Sequence, residues 1–180
     1  MTDEKKQPLY TLGEYDKIAQ VMVYTASSMY WGEVVVKSAV RVSTWLRTNT
    51  APDWICMYNA RGLLTTSSSP KPNSYSELHV ATSQVLCFHL LPPAKDPLDY
   101  DPTEPNRHME PVTTLVGGYM IKGHIRISDS ANLAKFLEVT RENFTALYDC
   151  EIHNLSIPSM GAIAVPYLII RQESAVFTSR

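Results

Sequence analysis

The chain has 180 residues, a formal net charge of −2, 44% apolar residues and 19% charged residues. These values describe an ordinary globular chain and exclude the basic field that holds phosphate backbones without regard to sequence. No apolar run approaches the roughly 18 residues needed to span a membrane, and the polar opening MTDEKKQPLYTLGEYDK lacks the apolar centre of a signal peptide. A cytoplasmic protein without membrane partners is expected.

Residues 1–19 read as a polar lead-in with one helical turn near Tyr15–Gln20. Val21–Thr25 is rich in β-formers and reads as a strand, with Met29–Lys37 as its return. Gly32 lies inside that second strand, where a glycine marks a bulge or a sharp bend. Ser38 is placed to cap a short helix whose apolar residues Val42, Trp45 and Leu46 fall on one face. Trp54–Asn59 reads as the next strand and Ala60–Ser76 as a Ser/Pro-rich loop. Glu77–Thr82 and Val85–Leu91 are expected to close the unit as a hairpin. Pro92–Pro111 carries six prolines and five acidic residues against one Lys and one Arg, which favours an extended, solvated linker.

From Met120 the pattern returns. At an offset of 91, Gly32 falls on Gly123, Val34 on Ile125, Val42 on Leu133, Trp45 on Phe136 and Leu46 on Leu137; Asp129 takes the capping place of Ser38. At an offset of 90, Trp54 meets Phe144, Tyr58 meets Tyr148, Leu78 meets Leu168 and Val80 meets Ile170. Tyr167–Arg171 and Ser174–Phe177 supply the second hairpin. The expected fold is mainly β (α+β): two tandem copies, 20–91 and 112–180, of a small five-stranded bent sheet or half-barrel with one short helix each, in the order β-β-α-β-β-β. Units of about 90 residues are marginal alone and need to pack on each other or on a partner.

Three cysteines, Cys56, Cys87 and Cys150, each sit in an apolar segment and read as reduced, buried thiols. Phosphate-binding, nucleophile-elbow and metalloprotease motifs are absent. Cys87 with His89, and Cys150 with His153, are the nearest approach to a metal signal. Cys87 aligns with Phe177 and Cys150 with Ala60, so these thiols behave as core fillers, and neither a metal nor a cofactor is expected. The order I/W-x-G-x-V/I-x-V/I, a short linker, R/N-apolar-S/A-x-W/F-L and an aromatic strand is similar to a small domain of unknown function in bacterial proteins of the Chloroflexota and related lineages, sometimes found in tandem. That resemblance rests on Gly32, Arg41, Trp45 and Leu46 in the first copy, and the second departs from it with Asn132 in place of Arg41. It implies a repeated fold and no activity.

The resulting expectation is a non-enzymatic interaction or assembly module that associates with itself or with a protein partner. Its contact surface would be Tyr30, Trp31 and Glu33, with Trp31 outward because it aligns with Lys122, together with Ser68, Lys71 and Tyr75 of the loop. A competing reading places a nucleotide or nucleic acid between the copies, held by Arg41, Arg47, Lys122 and Arg126. A third, an enzyme using His153 and Asp149, requires both residues to line one pocket.

Overall fold

The computed structural model describes residues 10–66 and 71–179. Its strands are β1 (Asp16–Tyr24), β2 (Ser28–Lys37), β3 (Trp54–Leu64), β4 (Asn73–Ala81), β5 (Cys87–Leu90), β6 (Arg107–Val116), β7 (Tyr119–Ser128), β8 (Phe144–Asn154), β9 (Ala162–Arg171) and β10 (Ala175–Ser179). A 3-10 helix, Val42–Arg47, follows β2, and the α-helix α1 (Leu133–Val139) follows β7. All ten strands join one unclosed sheet in the order β10-β6-β7-β8-β9-β5-β1-β2-β3-β4. Every pairing is antiparallel.

The middle strands are buried on both faces. Along β1, Val21 and Val23 enter one core while Met22 and Tyr24 enter the other. Alternate side chains of a strand point to opposite faces, so this split means that the sheet curls over β1 from one side and over its reverse from the other. The first core holds Val34, Val36, Ile55, Met57 and Val80, with Val42, Leu46 and Trp45 plugging it from the 3-10 helix. The second holds Ile121, Ile125, Ile127, Leu147 and Leu168, with Leu133, Phe136 and Leu137 from α1. The helical apolar residues read from the sequence pack as expected.

Both inner glycines sit at bulges. The β2–β3 register shifts between Trp31 and Glu33, and the β7–β8 register between Lys122 and His124. Neither glycine has a left-handed φ. That conformation falls instead on the strand opposite, at Asn59 (φ 48°) and Asp149 (φ 49°), residue types that tolerate it. A Cβ on Gly32 would stand 2.9 Å from Tyr58 O and 2.9 Å from Ala60 Cα. Glycine is needed there for the close approach of two backbones.

Several boundaries differ from expectation. The lead-in has no helical turn near Tyr15: Asp16–Gln20 already belongs to β1, paired with Glu33–Lys37. The loop after Asn59 is much shorter, because β3 runs on to Leu64 and β4 begins at Asn73. The expected hairpins do not form. A 3-10 turn at Thr82–Gln84 redirects the chain so that β5 pairs with β1 rather than β4, and Gln172–Ser174 likewise sends β10 to β6. The caps are also elsewhere. Asn132 Oδ1 accepts from the Lys135 amide at 2.9 Å, whereas Asp129 binds His108 Nδ1 and Ser38 donates its amide to Tyr15 O. The 3-10 helix takes its cap from the linker, Asp96 Oδ2 accepting from the Ser43 amide at 2.7 Å.

Candidate functional site

The seam between the two halves of the sheet is short and heavily braced. β5 meets β9 through the pairs Cys87↔Ile170 and Phe88↔Ile169, all four side chains fully buried. Arg171 closes the seam. Its amide donates to Leu86 O (2.8 Å), its Nε to Val85 O (2.8 Å) and its Nη2 to Thr82 O, while the guanidinium lies 4.6 Å from the centre of the Phe144 ring. The stacking and the two carbonyl bonds explain why this cation is buried without a fully buried acid beside it; Glu173, at 3.3 Å, is exposed.

At the two ends of the sheet the corresponding strands have no outer partner among the described residues. Among the described residues, β4 pairs only with β3 and β10 only with β6. Ala81, at the end of β4, has φ −61° and ψ 127°, close to the φ −71° and ψ 110° of Arg171 at the end of β9. Thr82 donates its amide to Asp53 O and Gln172 donates its amide to Asn143 O, so the pairing at both strand ends is alike. Antiparallel pairs alternate between hydrogen-bonded and non-bonded rows, so the Ala81 amide points outward from the free edge, as the Arg171 amide points at β5.

Near the seam lies His89, fully buried on β5. Its Nδ1 is 2.7 Å from Leu90 O and therefore carries the proton, leaving Nε2 to accept from the Tyr24 hydroxyl at 3.0 Å. Burial pulls its pKa down to about 4 against the backbone bond to Leu90. Cys87 and Cys150 are buried thiols that burial pushes far above the ordinary range, which makes them poor nucleophiles and poor ligands.

The linker is a strap rather than a free spacer. Besides the Asp96 cap, Leu98 O accepts from Arg41, and Asp99 accepts from the Tyr148 and Tyr167 hydroxyls (2.8 and 2.9 Å) and from Arg47 (3.1 Å). Farther on, Arg126 donates to Glu104 and to Asp101 O and covers Tyr100 at 4.4 Å.

No family model, curated protein or solved structure matches the chain. What it does must be read from its own surfaces.

The expected contact residues divide between faces. Tyr30 and Tyr75 close over Gly62 and pack on the first core, whereas Trp31 packs on the second core and is not the outward residue expected from its alignment with Lys122. Trp31 lies two residues from Met29 on the face of β2 that the second core covers, so it is packed with the strand's alternation unbroken. Glu33 is saturated by Tyr10, Gln20 and Asn59. Lys71 is exposed, and Ser68 lies outside the described residues.

The four proposed ligand cations do not converge. Arg47 and Arg126 line one hollow of about 340 Å³, but Asp99, Glu142 and Glu104 already neutralise them. Lys122 lines a different hollow with Asp149, and Arg41 is spent on the strap. His153 is absent from the residues around the Asp149 hollow; it lies 3.4 Å from Glu151 instead.

Proposed function

We propose that this chain is a non-enzymatic assembly module of the cytoplasm. It is built from two tandem copies of one five-stranded unit, as the resemblance to the small bacterial domain implies, and it associates with further copies of itself through its open sheet edges. One observation carries this reading. The joint made inside the chain, β9 on β5, unites the fourth strand of one half with the fifth of the other, and those same two strand positions, β4 and β10, stand uncovered at the ends among the described residues. Unpaired edges template the addition of another strand.

In the assembly, β10 of one molecule lies along β4 of the next, with Ala81 N donating to Val176 O as Arg171 N donates to Leu86 O. The contact is weaker than the internal joint, because Thr178 and His79 stand where the joint has Phe88 and Ile169, and an alanine stands in place of Arg171. Reversible association is the outcome. Reduced thiols at all three cysteines accord with a cytoplasmic setting.

The test is sedimentation of the full chain over a range of concentrations, beside Ala81→Pro. Proline fits the φ of −61° and removes only the outward amide. Reversible, concentration-dependent assembly that the variant shifts towards monomer, with an unchanged melting temperature, is expected. A wild-type chain that stays monomeric throughout would remove the reading, as would assembly indifferent to the proline.

A further inference from the structure

Away from both the seam and the strap, three metal-ligating side chains meet on the outer face of the β3–β4 pair. Cys56 and His79 are direct cross-strand partners, and Glu77 stands one row along, opposite Tyr58. One donor atom from each lies within 4.8 Å of the others. Cys56 Sγ is 3.5 Å from Glu77 Oε1, and His79 Nε2 is 3.1 Å from the same oxygen.

Zinc–ligand bonds of about 2.3 Å to sulfur and about 2.0 Å to nitrogen or oxygen, set at tetrahedral angles, separate S from O by about 3.5 Å and N from O by about 3.3 Å. Two of the three ligand separations are therefore close to those values before any ion binds. The scaffold is stiff. Cys56 lies between the core residues Ile55 and Met57, and His79 is followed by the core residue Val80, so both ligands ride on strands whose opposite face is packed. Without metal, the thiol proton points to Glu77; burial and the carboxylate hold its pKa up, against a hydrogen bond from Tyr58.

We propose that Cys56, Glu77 and His79 bind one zinc-class divalent cation, with the fourth position open to solvent. Binding deprotonates Cys56 and releases that proton to water, His79 gives the Nε2 lone pair while Nδ1 keeps its hydrogen, and Glu77 gives Oε1. The assignment does not rest on the assembly reading, although both involve His79 on the edge strand β4.

The test titrates Co²⁺ into reduced, tag-free protein, with Zn²⁺ as competitor. One equivalent per chain is expected, with a thiolate-to-cobalt charge-transfer band in the near ultraviolet that Zn²⁺ abolishes. Cys56→Ser should eliminate the band. His79→Gln should weaken binding by at least roughly 10-fold, the lower end of what loss of an outer-shell partner alone causes. Both substitutions are on the outer face, and unchanged circular dichroism will show that the fold survives. Failure of Co²⁺ to bind at millimolar concentration overturns the proposal. So does a charge-transfer band that persists in Cys56→Ser, which would place the metal on another cysteine.

Discussion

Replacing Gly32 with alanine tests the bulge on which the curl of the first half depends. The new methyl would meet Tyr58 O and Ala60 Cα at 2.9 Å and Ala60 Cβ at 3.1 Å. Two of those neighbours are backbone atoms of β3, so relief requires prising apart two paired strands rather than turning a side chain. Overpacking of this kind costs about 1–3 kcal/mol. For a chain of this length that corresponds to a fall of roughly 2–12 °C in melting temperature. Gly123→Ala should cost less, since its nearest neighbour is the Cys150 sulfur at 3.0 Å, with Tyr148 O at 3.1 Å. Gly118→Ala is the control, because its Cβ meets only Ser156 Oγ, at an ordinary 3.5 Å. Calorimetry of the three variants should rank them Gly32, Gly123, Gly118 in order of damage. A melting temperature for Gly32→Ala within a degree of wild type would refute the close approach.

His89 should make the protein acid-sensitive. Its folded pKa of about 4 lies below the unfolded value near 6.5, so the unfolded chain takes up the proton first as the pH falls. Stability should therefore drop between pH 6.5 and 4, by up to about 3 kcal/mol, and urea melts should show that slope flattened in His89→Gln. Asp99→Asn should loosen the strap, because an amide cannot accept from two tyrosines and also neutralise Arg47. A loss of about 1–3 kcal/mol is expected, and proteolysis within residues 92–106 should accelerate well beyond what a control substitution at exposed Lys95 produces.

What the sequence disclosed was governed by periodicity and by residues with one physical use. Gly32 and Gly123 announced the bulges because a strand interior tolerates glycine poorly, and Trp45 and Phe136 announced the plugs by helical spacing. The course of β3 beyond Asn59 was hidden by the same bulge, since a left-handed residue shifts the alternation by one and makes Ala60–Leu64 read as loop. The partners of β5 and β10 were hidden too, because a three-residue 3-10 turn leaves no more trace than a hairpin turn. The strap resisted reading for another reason. Asp96, Asp99 and Glu104 look like solvated linker charges until the fold brings Ser43, Arg47, Tyr148, Tyr167 and Arg126 beneath them. Cys56, Glu77 and His79 were likewise invisible as a group, since their nearness is made by strand register and not by spacing along the chain.

The differences between the seam and the free edges bear on how strongly the proposed edge contact would hold. Two fully open, apolar edges capable of pairing head to tail would polymerise without limit, since a heterologous contact that does not close makes a fibre. Here the outer edges keep the backbone geometry of the seam but not its side chains. His79, Thr178 and Ser179 are exposed where Ile169, Phe88 and His89 are buried, and Ala81 cannot supply the two side-chain bonds to carbonyls and the ring contact of Arg171. Polar residues on an edge are a recognised guard against uncontrolled strand addition. Under the proposed assembly, the substitutions would lower the strength of the outer contact without abolishing its register. An Ala81→Arg, His79→Ile, Thr178→Phe triple variant should move the equilibrium sharply towards large species in sedimentation. If it remained as weakly associated as the wild type, the edges would be shielded by something other than their side chains, and the likeness between seam and ends would have no bearing on assembly.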